Sequence, residues 1–479
     1  MFISASTLLA QTSNTSTISC PLPVAVPTGL SPASYSLAQI VQPGTGARPR
    51  NPNSKLGDIV SIKDFGAVGD GVTDDTAAIQ AAIDATSRKP LQGGGVYCPA
   101  GTYIISSSLN ITNVMGFTFE GVGEGCTFSW SGGSTGPLLN LTAVANSTFE
   151  KFKLTVTSPA TPLAEGIRIQ TGPFSSVVAP TQNVFRDVLI QGVNGYINIG
   201  VRGAVGAGGD NNDDFMTFDN VRIANYAIAG WTIEGTQMNG WRMTNCRTNA
   251  AVGIGKYSVS GGPSTSTASN FFWYGGLVSG DTGANFFVGA PSSSALGYII
   301  EGVSSESSNR FLDTGGIAGA ALHLKIDTVR FASNGLNADG VAVRLQTPGP
   351  FTIINSRFGE GDNMKAVKIA WSYLTGYSRP SLAFITSEVF GSLTRAAAIF
   401  SGAQPTIILG SAAVTGSSAY YSLDNGGYLV STLPACDQTT YGLKATVSDA
   451  KGPAFLSALM GGGAVSTPVY CNGTEWVSY

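Results

Sequence analysis

The sequence predicts an all-β protein wound as a parallel β-helix (a β-solenoid), with a short N-terminal helix cap and a small C-terminal β-rich domain. Three observations predict it. Glycine supplies 62 of 479 residues and charged residues only 11%, the balance of a chain made of turns and buried strands rather than solvated helices. No helical period is sustained after residue 86. From residue 106 to about 405 a unit recurs: apolar–x–(Asn, Asp, Gly or Thr)–apolar–x–apolar, as in Phe185-Arg186-Asp187-Val188-Leu189-Ile190. Copies opening at 218, 243, 274, 300, 326 and 353 stand 25, 31, 26, 26 and 27 residues apart. Repeats of roughly 20–50 residues mean stacked units, and short β-runs with no helix per unit make the stack a β-solenoid.

The segments follow in order. Residues 1–54 are rich in Ser, Thr, Pro and Ala without a period, and read as an N-terminal arm or attachment segment. Residues 55–405 hold an opening motif, the capping helix and the solenoid. In Val60–Ile83, Ile62 and Phe65 lead into a turn whose Gly66, Gly69 and Gly71 tolerate angles closed to other residues. Asp74 or Asp75 caps a helix whose apolar face is Ala78, Ile79, Ala82 and Ile83. Asp70, Asp74 and Asp75 look like a metal or catalytic cluster, but Asp in a Gly-rich turn before a helix serves turns and caps, and that role is expected here. The third position of the repeat holds Asp187, Asn220, Asn245, Gly276, Gly302 and Asn355, with Thr328 the exception. Asn, Asp and Gly tolerate left-handed angles, so a bend between two strands is expected there. Residues 406–479 leave the register and read as a C-terminal β-rich trimerisation or capping domain, with Asn472-Gly473 as its hairpin turn.

Val60–Ile83, followed by Gly93–Ile105 as a turn and the first strand of the coil, resembles the start of the pectate-lyase-like right-handed β-helix family, which includes bacteriophage tailspikes and polysaccharide-cleaving proteins. The resemblance implies a right-handed coil, a bacterial surface polysaccharide as partner and a homotrimer. It also implies contacts with other phage tail proteins through the N-terminal arm, and a place in the phage virion tail or outside the cell.

Composition narrows the chemistry. A net charge of −3 argues against nucleic acid as a partner. No run of apolar residues reaches the length of a transmembrane helix, so no membrane insertion is expected. A single histidine, His323, weakens a histidine metal site or a Ser-His-Asp triad. No cofactor and no metal are expected. The cysteines form no CxxC pair and read as isolated buried thiols, while Cys436 and Cys471 are close enough in sequence to form a disulfide. The acidic loop Gly206–Asp214 lacks the spacing of a calcium loop and reads as solvated turn.

A solenoid presents columns of equivalent side chains on rungs ~4.8 Å apart. Two carboxylates one rung apart suit a retaining glycosidase, and two rungs apart an inverting one. Asp281 and Glu306 follow the bends of adjacent rungs and are the expected acid/base pair, with Asp313 and Glu301 in reserve. Ser304–Phe311 also resembles a strand-end stretch of tailspike-like proteins, and Arg310 within it joins the substrate-binding set. Arg222, Arg247, Arg330 and Arg357 share a slot that Val278 and Ser304 fill on the two intervening rungs. Such a stripe suits an anionic glycan laid along the axis and cleaved at the gap, unless the arginine stems only cover apolar surface. Trp231 and Tyr257 are candidate sugar-stacking rings, although aromatics in these rungs are more often core. The reaction expected is glycoside hydrolysis. The alternatives are β-elimination on a uronate, served by Lys256, Arg247 or Tyr257, and a binding spike without catalysis.

Overall fold

The computed structural model describes residues 39–87, 93–133, 136–156, 162–172, 181–192, 197–206, 213–234, 238–261, 270–288, 296–314, 322–332, 341–345 and 351–358. It also describes the backbone of 367–371, 382–389, 391–395 and 406–409, and residues 429–433, 436 and 444–479. The chain divides after Asp58. In the first unit a short helix, Pro52–Leu56, is capped by the Asn51 side chain, and Arg50 pairs with Asp58 at 2.7 Å.

The second unit is an all-β right-handed parallel solenoid followed by a small antiparallel sheet. The opening motif builds its first rung. Asp70, Asp74 and Asp75 all accept hydrogen bonds that fix turns. The Asp70 carboxylate accepts from the Val72 and Thr73 amides, Asp74 from the Thr76 amide, and buried Asp75 from the Val68 and Gly69 amides. The helix Thr76–Thr86 buries Ile79, Ala82 and Ile83 over this end of the core. Within Gly93–Ile105 the structure forms two strands, Gly95–Cys98, paired with Thr118–Gly121, and Gly101–Ile105.

Each rung then has three faces. The first carries strands such as Thr217–Asp219, Trp241–Thr244, Asn270–Tyr274 and Leu296–Glu301. The second follows the bend, with Arg247–Ala250, Leu277–Ser279, Ser304–Glu306 and Arg330–Ala332. The third carries Leu163–Gln170, Ile197–Ala204, Tyr257–Ser260, Ala284–Phe287 and Val341–Leu345. All pairings in this ladder are parallel, and the ladder continues to Thr406–Leu409, past the expected boundary at 405. The core is a set of stacked columns: Phe149, Phe185 and Phe218 lie 5.1 and 4.9 Å apart between ring centroids, about one rung.

The bend residues have the expected conformation. Asp187, Asn220, Asn245, Thr328 and Asn355 all have φ between 51° and 53°, so even Thr328 adopts the left-handed angle. The sequence register slips by one at a single rung. Trp273, not Tyr274, is the Cα partner of Met243 and Ile300, so Gly275 stands at the bend and Gly276 follows it. Gly276 has φ +87°, and a Cβ there would lie 1.9 Å from the Cys246 carbonyl oxygen. Gly276→Ala is therefore expected to cost about 2–5 kcal/mol through backbone strain and overpacking. A thermal midpoint equal to the parent's would refute this.

Two disulfides are present, Cys98–Cys126 and Cys436–Cys471, and Cys246 is the free, buried cysteine among the described residues. Cys98 and Cys126 correct the expectation of isolated thiols. The residue beside Cys98 on the next rung is Gly121, whose missing side chain leaves the space that Cys126 occupies. In the C-terminal sheet, Lys444–Ala450, Val465–Cys471 and Trp476–Ser478 pair antiparallel. The Asn472 carboxamide closes the last turn by accepting from the Thr474 and Glu475 amides.

Candidate functional site

The outer edge of the bend and second face carries the arginine column. Its register is Leu189, Arg222, Arg247, Leu277, Ser304, Arg330, Arg357. The gap is therefore Leu277 and Ser304, since Val278 points into the core. Outward side chains recur at every second residue of a strand, and vertical pairing puts equivalent positions in one line, so the column follows directly from the repeat. Arg222 pairs with Glu124, which comes from the short turn Gly123–Gly125 far upstream. Arg330 lies 4.0 Å from Glu306. Arg247 is exposed and has no ion pair or side-chain hydrogen bond among the described residues. It borders an open pocket of about 720 Å³ that Asn220, Asn245, Gly276 and Leu277 also line. An uncompensated guanidinium with amides and an apolar floor beside it can take a planar anion in bidentate fashion.

The four candidate carboxylates separate. Glu306 is exposed on Ser304–Glu306, and Glu301 is half-buried at the end of its first-face strand, 3.5 Å from Lys325. Asp281 is 1% exposed. Its oxygens accept from the Tyr226 and Ser258 hydroxyls and from the Asn285 amide at 2.7 Å. Burial pushes its carboxyl up to about 7, against the pull of these hydrogen bonds. Asp281 thus faces the interior while Glu306 faces solvent, and the expected pair is not assembled. The reason is local: the strand Leu277–Ser279 ends before Asp281, so strand alternation no longer sets its direction. Asp313 is also buried, held by Arg310 at 2.9 Å and by Arg344. Arg310 is 5% exposed and donates to the Val341 carbonyl, so it belongs to this ion cluster rather than to a sugar surface.

The remaining candidates also part company. Trp231 is wholly buried, edge-on to Trp273 at 5.2 Å, and is core. Tyr257 stacks on Phe287 at 4.9 Å on the third face, where burial raises its phenol above the ordinary range. Lys256 is exposed in the turn before it. Neither shares a face with Arg247, whereas Lys256 and Tyr257 adjoin each other at the start of the third-face strand Tyr257–Ser260.

Two clusters escaped the sequence reading. On the third face Arg202 bridges Glu165 at 2.8 Å and Glu234 at 2.7 Å, and Arg168 also holds Glu165. Burial pushes the Glu165 carboxyl up, but its two arginines outweigh burial and hold it below the usual range. On the first face Arg242 lies 5.7 and 5.5 Å from the ring centres of Phe272 and Tyr274. The repeat unit read from the sequence ends soon after the bend, so third-face columns were invisible to it. The Arg242 cluster was findable as adjacent outward positions of two first-face strands.

This architecture defines a class: the fold is a pectate-lyase-like right-handed β-solenoid, related to phage tailspikes and polysaccharide-acting enzymes. Residues 59–128 match the family described as rhamnogalacturonase A/epimerase, pectate lyase-like. Mannuronan C5-epimerase AlgE1 of Azotobacter vinelandii is 32% identical over 193 residues, 36% of this chain and 13% of that protein. The tail spike protein of Shigella phage Sf6 is 39% identical over 106 residues, 21% of this chain and 16% of that protein. The matches thus span less than a fifth of these relatives. Among solved structures, the tailspike of E. coli bacteriophage HK620, in complex with a pentasaccharide, has a TM-score of 0.54 at 13% identity, over 83% of this chain and 73% of that one. That likeness is one of fold. No helix among the described residues is long and apolar enough to cross a membrane.

Proposed function

We propose that the protein is a tailspike-like depolymerase that binds an acidic bacterial surface polysaccharide along the arginine column and hydrolyses it at the Leu277–Ser304 gap. The observation that carries this is Arg247, without an ion pair or side-chain hydrogen bond among the described residues, beside an open pocket and in line with three further arginines. Glu306, on the rung of the gap, is the carboxyl that protonates the glycosidic oxygen. Glu301, on the same rung across the bend, is half-buried with its carboxylate reaching solvent, and activates water. The chain acts as a homotrimer in the phage virion tail or outside the cell, with residues 1–54 joining it to other tail proteins. Two disulfides suit an oxidising, extracellular setting.

The test is digestion of purified polysaccharides from candidate host bacteria, read by new reducing ends and by ultraviolet absorbance of unsaturated uronates. Reducing ends without absorbance are expected. Glu306→Gln and Glu301→Gln are each expected to reduce release by about 100-fold or more, since each removes an acid/base role. Absorbance would replace the hydrolase with a lyase. The burial of Asp281 and Asp313 favours a second reading, a receptor-binding spike without catalysis. Binding to a glycan that is never cleaved would establish it.

A further inference from the structure

The arginine column has a pattern that a uniform basic stripe lacks. Arg222 and Arg247 occupy neighbouring rungs, and so do Arg330 and Arg357, with two uncharged column positions between the pairs. Arg247 and Arg330 are therefore three rungs apart, ~14 Å along the axis at the usual strand spacing. The two uncharged positions are an apolar side chain, Leu277, and a small hydroxyl, Ser304. Neither carries a charge to pair with an anion, and either can lie under an uncharged sugar.

The members of the column are not equivalent. Arg222 is neutralised by Glu124, and Arg330 has Glu306 at 4.0 Å. Arg247 alone of these three has no protein counter-charge among the described residues, and it alone borders the pocket. It is the anchor, and Arg330 is the second contact.

Resting on the reading of this surface as a glycan groove, we infer that the site selects an acidic glycan whose charged groups are spaced three sugars apart. One carboxylate is seated by Arg247 in the pocket, the next is met by Arg330, and two neutral sugars cross Leu277 and Ser304. A sugar in an extended chain advances by about one rung, so three sugars match three rungs. A polymer with one acidic sugar per trisaccharide satisfies both contacts with no unused charge. A polymer with a charge on every sugar also satisfies them, but brings excess charge against Glu306.

Oligogalacturonates of two to six sugars, titrated calorimetrically into the full chain, separate the possibilities because every sugar carries a carboxylate. Binding is expected at all lengths, with affinity rising about tenfold between three sugars and four. Only from four sugars can the first and fourth carboxylates reach Arg247 and Arg330 together, making the second contact intramolecular. Arg330→Ala is expected to abolish the step between three sugars and four. Arg247→Ala is expected to weaken every length. Both arginines are exposed, so unchanged thermal midpoints show that the variants are folded. A smooth rise with length, or a step that survives Arg330→Ala, would overturn the spacing and leave the glycan groove standing. Absence of binding at every length and at low salt would overturn the acidic-glycan reading itself.

Discussion

Asp313→Ala is expected to destabilise the solenoid by about 3–5 kcal/mol, because removing one partner of a buried ion cluster leaves the other charge buried without compensation. Asp313 is 4% exposed and Arg310 5%, so water cannot easily replace the lost carboxylate. Arg344 is more exposed and can turn toward solvent, but Arg310 is also held by the Val341 carbonyl and cannot. Urea unfolding followed by circular dichroism checks this. A loss below about 1 kcal/mol, typical of a surface pair, would mean that the cluster is solvated. The same variant separates structure from catalysis: if Asp313 only holds the rung, activity at low temperature persists while the unfolding midpoint falls.

Stability is expected to decline as pH rises from about 4 to about 7, and Asp281→Asn is expected to remove most of that decline. Burial raises the folded-state carboxyl to about 7, whereas an unfolded aspartate titrates near ~3.9. Between those values the native chain keeps a proton that the unfolded chain has released, so raising the pH favours unfolding. The stabilising difference is fully present below the unfolded value and shrinks by about 1.4 kcal/mol per pH unit, about 4 kcal/mol across the window. Above the folded value both states are ionised and the dependence ends. Tyr226, whose hydroxyl donates to Asp281, is itself pushed well above its ordinary range by burial and by this carboxylate, so it stays neutral throughout. Unfolding midpoints at about pH 4.5 and about pH 7.5 are the measurement. Equal midpoints in the parent chain would show that Asp281 is ionised in the fold at both.

Much of the fold was legible because solenoids repeat local rules. The bend appears in sequence as Asn, Asp or Gly because a left-handed angle is a property of one residue. The columns appear as apolar spacing because alternation in a strand is equally local. The one slip, at Tyr274-Gly275-Gly276, occurred where two glycines made the bend position ambiguous, and it moved the gap in the arginine column from Val278 to Leu277. The substrate-binding candidates divided on the same ground. Arg222 and Arg247 sit on regular strands and face solvent as read. Arg310 and Asp281 sit in turns, where no alternation operates, and both proved buried. Trp231 lies on a strand, but on the third face, whose register the repeat unit did not reach.

The sequence by itself determined the period, the bends, the turn-holding role of the opening aspartates and the vertical alignment of the interrupted arginine column. Each depends on one residue's backbone preference or on period-two alternation repeated at fixed spacing. Only the tertiary structure decided which carboxylates are exposed, which arginine lacks a counter-charge and which cysteines meet. Those depend on neighbours one to three rungs away: Glu124 reaching Arg222, Arg344 reaching Asp313, Gly121 making room for Cys126. Stacking brings such residues together across insertions of unequal length, and no spacing along the chain records the contact.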